Sequence, residues 1–139
     1  MPIQPIGAAD VIGTIHMAEQ YAEGLKDLEG FSHIYLIYLF HEATHTRLRV
    51  VPFMDTKERG VFATRSPLRP NHIGLSIVEL VRIDGLTLTI RGVDVLNQTP
   101  LLDIKPYIEA FDSVKNSTSG WMGSDVRSVA EKRSDDRFR

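Results

Sequence analysis

Two alternating runs joined by Asp84-Gly85 constrain this chain more than any other feature of it. Ile77-Val-Glu-Leu-Val-Arg-Ile83 and Leu86-Thr-Leu-Thr-Ile-Arg91 are rich in β-branched residues. An Asp-Gly pair between two such runs favours a two-residue type I′ turn, so the segment reads as an antiparallel hairpin. Leu86, Leu88 and Ile90 then share one face, and Thr87, Thr89 and Arg91 the other. After Gly92 the apolar positions shift to Val93 and Val95. That shift predicts a bulge, which would turn Asp94 away from the face its spacing from Ile90 implies.

The other segments are short and mostly β-like. Residues 11–16 read as a strand in which Gly13 marks a bulge or a close backbone approach. Residues 17–28 suit a short helix or helical turn ending near Gly30. Residues 34–40, Ile-Tyr-Leu-Ile-Tyr-Leu-Phe, read as a buried strand. Residues 47–51 form a half-polar strand suited to an edge, 54–60 a charged loop, and 61–64 a further strand. No G-x-G-x-x-G and no βαβ alternation is present, which argues against a doubly wound cofactor fold and for a mainly antiparallel all-β one. From Asn116 the chain turns polar, with Trp121 its last large apolar anchor. Residues 1–122 therefore read as one domain and 123–139 as a solvated tail, or a short C-terminal helix with a narrow apolar face of Val126, Val129 and Ala130.

Composition removes several functions. A length of 139 residues suits one domain with a substantial core. There is no cysteine, which excludes disulfides, thiolate metal sites and a thiol nucleophile. The N-terminus shows no basic leader followed by an apolar stretch, and the apolar run at 34–40 is too short to cross a bilayer, so the expectation is a cytoplasmic protein with no membrane partner. A net charge of -2 gives no global attraction to nucleic acid. Any RNA contact must come from a local patch.

Chemistry concentrates in Gly60-Val-Phe-Ala-Thr-Arg-Ser-Pro-Leu-Arg-Pro-Asn-His-Ile-Gly-Leu-Ser76. Its two X-Pro pairs restrict the backbone, so Arg65 and Arg69 leave a stiff turn. A fixed guanidinium can bind a carboxylate or phosphate through two parallel hydrogen bonds with little ordering cost. The competing reading is a connector with solvated arginines. A second motif, His41-Glu42-Ala-Thr-His45, is a literal HExxH, which on a helix would hold zinc with Glu42 as general base of a hydrolase. Its neighbours read as strand and its threonines are poor helix formers, so a strand end is expected and no metal.

The proline-fixed segment closely resembles the ATRSPxRPNPIG motif of the TsaA-like (TrmO-type) proteins. Pro2-Ile-Gln4, Tyr21-Ala-Glu-Gly-Leu-Lys-Asp-Leu-Glu-Gly-Phe-Ser-His-Ile34, Phe40-His41 and Asp94-Val-Leu-Asn-Gln-Thr-Pro-Leu-Leu-Asp-Ile-Lys-Pro-Tyr107 agree in order and spacing, so the resemblance covers residues 2–122. His72 stands where the family has proline, Asn97-Gln98 where it has Asp-Gly, and the chain starts almost on the segment at Pro2 and has no room for the further C-terminal domain of many bacterial relatives. The resemblance implies a β-barrel homodimer that uses S-adenosylmethionine to methylate N6 of a modified adenosine beside the tRNA anticodon. It also implies that Gln4, Pro5, His41 and Glu42 line the cofactor. Laid against the cofactor's chemistry, Arg65 supplies a cation for its carboxylate, Asp94 and Asn97 partners for hydroxyls or amine, and Leu75 with Leu96 an apolar slot. Asp94, Asp103 and the carbonyls near Thr99-Pro100 are candidates to accept from the adenine amine, with a local Asp103–Lys105 ion pair the competing reading. A non-catalytic S-adenosylmethionine-binding module and the zinc hydrolase are the alternatives.

Overall fold

The computed structural model describes residues 11–53 and 55–123. Within them the strands are β1 (Ile12–His16), β2 (His33–Leu39), β3 (Arg49–Val50), β4 (Arg59–Gly60), β5 (Ile73–Asp84), β6 (Thr87–Arg91) and β7 (Leu101–Pro106). Five of them form one sheet in the order β1-β6-β5-β2-β7, and β3 pairs with β4 in a separate two-stranded ribbon. Every pairing is antiparallel. Helix is limited to three-ten segments, of which Glu19–Leu25 and Leu28–Gly30 lie in the region expected to be helical, and to one α-turn, Glu109–Asp112.

The sheet is organised around β2, which is paired on both sides, with β5 and with β7. Its alternation sends Ile34, Leu36 and Tyr38 to one face, where they pack with Val78 and Leu80 of β5 and Leu88 and Ile90 of β6. Full burial of such a side chain is worth about 1.5–3 kcal/mol, and Ile34 and Leu88 are both completely shielded. The opposite face keeps Ile73, Leu75 and Ile77 of β5 largely exposed.

Several sequence expectations need correction. The hairpin is present, but Asp84 pairs with Thr87, so the turn residues are Gly85 and Leu86. Gly85 has φ +61° and Leu86 is not left-handed, the pattern of a type II′ turn and not type I′. Asp84 stays in the strand, where its carboxylate accepts a hydrogen bond from Arg82 Nε at 3.0 Å. The bulge expected after Gly92 is instead a strand end: β6 stops at Arg91, and Gly92, at φ +91°, takes the chain out of the ladder. The register shifts lie elsewhere, between Leu80 and Arg82 and between Ile37 and Tyr38.

Residues 61–64 are not a strand. Val61–Ala63 is a three-ten turn, closed by Thr64 N–H donating to Val61 O at 3.1 Å and the Thr64 hydroxyl donating to the same carbonyl at 2.8 Å. At Gly13 neither a bulge nor a second backbone is found: the register runs through it unbroken, and a Cβ there would meet the Val93 side chain at 3.0 Å.

The closed barrel is not found. A barrel requires its two outer strands to hydrogen-bond, but among the described residues β1 pairs only with β6 and β7 only with β2. Between these edges lies a half-open trough of ≈ 1420 Å³, whose walls include Ile15, Leu36, Tyr38, Ile90, Leu96 and Asn97. The expected C-terminal helix and tail fall on residues 124–139, outside the described residues apart from Gly123.

One close contact in the sheet generates a test. Gly74 lies opposite Tyr38, and a Cβ at Gly74 would sit 2.4 Å from Tyr38 Cε2 and 2.9 Å from Phe40 Cζ. The tyrosine ring is buried, so it has no solvent to move into. Gly74→Ala is expected to lower unfolding stability by about 1–3 kcal/mol, the usual cost of overpacking, in a denaturant titration. A variant as stable as the wild type would show that the ring does not lie across this glycine.

Candidate functional site

The proline-rich loop between β4 and β5 is held by its own side chains. Thr64 Oγ1 accepts from Ser66 N–H at 3.2 Å, and buried Ser66 Oγ accepts from Leu68 N–H at 3.2 Å. Arg69 Nη1 donates to Thr64 O at 2.8 Å and Ser66 O at 3.2 Å. His72 Nδ1 donates to Pro67 O at 2.9 Å while its backbone sits at φ +50°. The histidine that replaces the expected proline therefore holds the same turn by a hydrogen bond. From outside, Trp121 Nε1 donates to Ala63 O at 2.8 Å, and the Arg59 guanidinium lies over its ring at 5.3 Å while pairing with Asp55 at 2.6 Å.

The two arginines separate in role. Arg69 is committed to carbonyls within the loop. Arg65 acts on the sheet, where its positive charge is felt by both Tyr38 and Asp94.

Those two residues belong to a buried chain of hydrogen bonds. Ser76 Oγ donates to Asp94 Oδ1 at 2.9 Å, and Tyr38 Oη lies 2.9 Å from Ser76 Oγ. Serine has one hydroxyl proton; since it goes to Asp94, Tyr38 must be the donor to Ser76. Burial is the main cause that raises the Asp94 carboxyl above its ordinary value, opposed by the Ser76 bond, its own backbone N–H and the charge of Arg65. Burial likewise pushes the Tyr38 phenol up to about 12, aided by the Asp94 charge. The phenol thus remains protonated and able to donate at neutral pH.

The remaining candidates lie in different parts of the molecule. Leu96 and Asn97 line the trough together with Tyr38, on the loop that carries Asp94. Leu75 does not share that slot: it follows Gly74 and precedes Ser76 in β5, so it points to the other face of the sheet, 57% exposed. Asp103 pairs with Ile37 on the outer side of edge strand β7, borders the trough at that edge, and lies 4.0 Å from Lys105 in an exposed pair. The Pro100 carbonyl accepts from Leu39 N–H at 3.0 Å, and the Leu96 carbonyl from Thr99. His41 and Glu42 are exposed in the turn after β2, and the HExxH segment contains no helix, so its histidines lack the shared helical face that zinc binding would use. Among the described residues no group of three His, Asp or Glu side chains could hold a metal. Gln4 and Pro5 lie outside the described residues.

Sequence reasoning missed Tyr38 and Ser76. Ser76 was legible only as the one polar position in an apolar stretch of β5, and Tyr38 as an aromatic in a buried strand. Residues 101–106 were also not read as a strand, although their Leu101 and Ile104 face the core.

Comparison with known proteins places this geometry in context. The sequence model of the tRNA-methyltransferase O N-terminal domain matches residues 1–113. A protein of Pyrococcus abyssi named as a probable S-adenosyl-L-methionine-binding protein is 50% identical over 138 residues, 99% of this chain and 75% of that protein. The human tRNA (adenine(37)-N6)-methyltransferase is 41% identical over 95 residues, 66% of this chain but 22% of its own length. The crystal structure of TrmO from Pseudomonas aeruginosa superimposes with a TM-score of 0.71 at 38% identity, covering 86% of this chain and 53% of that one. The chain thus spans about half of the solved TrmO and most of the archaeal protein.

The buried carboxylate has a measurable signature. A folded-state pKa above the ordinary 3.8 means that the native protein binds this proton more tightly than the unfolded chain. Stability is therefore lost as pH rises from the ordinary value through the raised one, and the loss is complete above it. Asp94→Asn removes that loss while keeping an acceptor for Ser76. Its melting temperature relative to wild type should climb as pH increases from about 3.5 to about 7. A difference independent of pH would show that Asp94 is not desolvated in the native state.

Proposed function

The chain belongs to the tRNA-methyltransferase O N-terminal domain family, and on that premise we propose that it is an S-adenosylmethionine-dependent methyltransferase acting on N6 of the adenosine beside the tRNA anticodon. The observation that carries this reading is the site itself: the charge of Arg65, from a stiffened loop, acts on a desolvated Asp94, and Tyr38, linked to that carboxylate through Ser76, lines the trough. The amino-acid end of S-adenosylmethionine is a carboxylate next to an ammonium, which needs that pairing. Arg65 suits the carboxylate through parallel N–H donors and Asp94 accepts from the ammonium. Asn97 offers an amide to the ribose hydroxyls, and Leu96 with the trough wall provides an apolar surface for the adenine. Gln4, Pro5, His41, Glu42 and Leu75 remain part of the proposal from the family resemblance, Leu75 by its exposed face reaching a pocket only across an interface.

When bound, S-adenosylmethionine supplies a methyl group on a sulfonium, an intrinsically good leaving group. The protein's task is then chiefly placement: holding the ligand by its charged end and its adenine fixes the methyl carbon for in-line attack, and such ordering can supply a large part of the acceleration. The site has no acidic trio for metal chemistry among the described residues, and the reading requires none.

A homodimer is the assembly proposed. The row of Ile73, Leu75 and Ile77 left exposed on the outer face of β5 supports it, since apolar strand faces of this kind are usually covered. A tRNA substrate implies a cytoplasmic protein; among the described residues no helix is long and apolar enough to cross a membrane. The alternative, an S-adenosylmethionine-binding module without transferase activity, draws support from the printed name of the archaeal relative, which covers nearly the whole chain.

Two measurements test these readings. Saturation with S-adenosylmethionine at about 100 times its dissociation constant should add roughly 2.7 kcal/mol of apparent stability. Arg65→Ala should weaken binding roughly ten- to a hundred-fold, the loss of one charge-assisted contact. Transfer of labelled methyl to tRNA separates the enzyme from the binding module; no thermal shift with the ligand would sink both. For assembly, sedimentation should find a dimer whose interface buries more than about 1,000 Å², and Leu75→Glu should dissociate it. A monomer at all concentrations would contradict the proposed dimer.

A further inference from the structure

Tyr38 and Ser76 contact no solvent to speak of, and nothing in the fold requires polar groups there: their neighbours on the same face are Ile34, Leu36, Val78 and Leu80. Buried hydroxyls are retained at a cost unless bonded, and these two are bonded only in a line that ends on Asp94. The donor order is set. The Tyr38 phenol donates a hydrogen bond to Ser76 Oγ, and the Ser76 hydroxyl donates one to Asp94 Oδ1. Each hydroxyl in such a chain polarises the next, which strengthens the final bond to the carboxylate.

Gly74 makes the chain possible. Because position 74 has no Cβ, the Tyr38 ring lies across it and the phenol reaches Ser76, two residues further along β5. The relay runs from the middle of the sheet to the loop after β6, and that loop has no strand pairing of its own to hold Asp94. Desolvation alone would favour a neutral carboxyl; a donated hydrogen bond favours the anion and fixes one oxygen in place.

We propose that Tyr38 and Ser76 are positioning residues that hold Asp94 ionised and aimed at the ammonium of the ligand's amino-acid end. Their hydroxyls face the carboxylate, while the Tyr38 ring also lines the trough and is kept in Tyr38→Phe. This rests on the functional reading above, and it makes a specific demand on ligand recognition: the relay matters only to ligands that carry an α-amino group.

The experiment compares two adenosine thioethers by calorimetry on the full chain. S-adenosylhomocysteine has the amino-acid end; 5′-methylthioadenosine lacks it. Ser76→Ala should weaken S-adenosylhomocysteine roughly 3–15-fold and Tyr38→Phe roughly 2–10-fold, as expected for losing one hydrogen bond and for losing the bond behind it. Ser76→Ala should bind 5′-methylthioadenosine as the wild type does, and Tyr38→Phe, which keeps the ring that lines the trough and loses only the hydroxyl, should weaken it less than it weakens S-adenosylhomocysteine. Tyr38→Phe keeps the ring over Gly74, so it remains folded even if Ser76→Ala does not. An equal loss for both ligands would reduce the relay to a structural role, and no loss for either would show that Asp94 does not meet the ammonium; each overturns the inference. If the wild type binds neither thioether, the functional reading itself falls, and this inference with it.

Discussion

The double pairing of β2 is the constraint on which the rest of the molecule depends. With β5 on one side and β7 on the other, the strand is paired along both edges, and its alternation places Ile34, Leu36 and Tyr38 together on the core face. A shift of one residue would send all three to the outer face and bring Tyr35 and Ile37 in. The register also sets Tyr38 opposite Gly74 and Leu36 opposite Ser76, so the same pairing that builds the core creates the one polar line through it.

That line carries the sheet's rigidity to residues outside it. Asp94 sits on irregular chain between β6 and β7, and Arg65 on irregular chain between β4 and β5. Loops of this kind are mobile unless tied down. Here each is tied by a different means. Asp94 is fastened to β5 through Ser76, whereas the Arg65 loop is fastened to itself by Arg69, Thr64 and His72 and to the end of the domain by Trp121. A charge on an exposed loop residue and a half-buried carboxylate from distant parts of the chain thereby act on one another.

The chemistry follows from keeping a carboxylate where water would not choose to leave it. Its desolvation costs stability, and the relay and Arg65 recover part of that cost. Strain of this sort is common where a protein holds a site ready for ligand, because the missing solvation is what the ligand supplies. Among the described residues β1 and β7 do not pair with each other, and the trough between them leaves Leu96 and Asn97 accessible on the loop that carries Asp94.

Much of this was determined by the amino-acid sequence alone. The β class, the buried strand at 34–40, the hairpin, the stiff loop with Arg65 and the family itself all follow from local periodicity, turn chemistry and contiguous motifs, which need no partner segment to be recognised. Tertiary structure decided what depends on register. Only pairing shows that Leu75 faces away from Leu96, that Asp103 pairs on the outer side of β2, that the turn falls on Gly85-Leu86, and that among the described residues the sheet does not close where a barrel was expected. Asp94 and Ser76 stand 18 residues apart and Tyr38 and Ser76 stand 38 apart. No spacing rule links such positions; the chain must first be folded onto itself before a tyrosine, a serine and an aspartate become one hydrogen-bonded line.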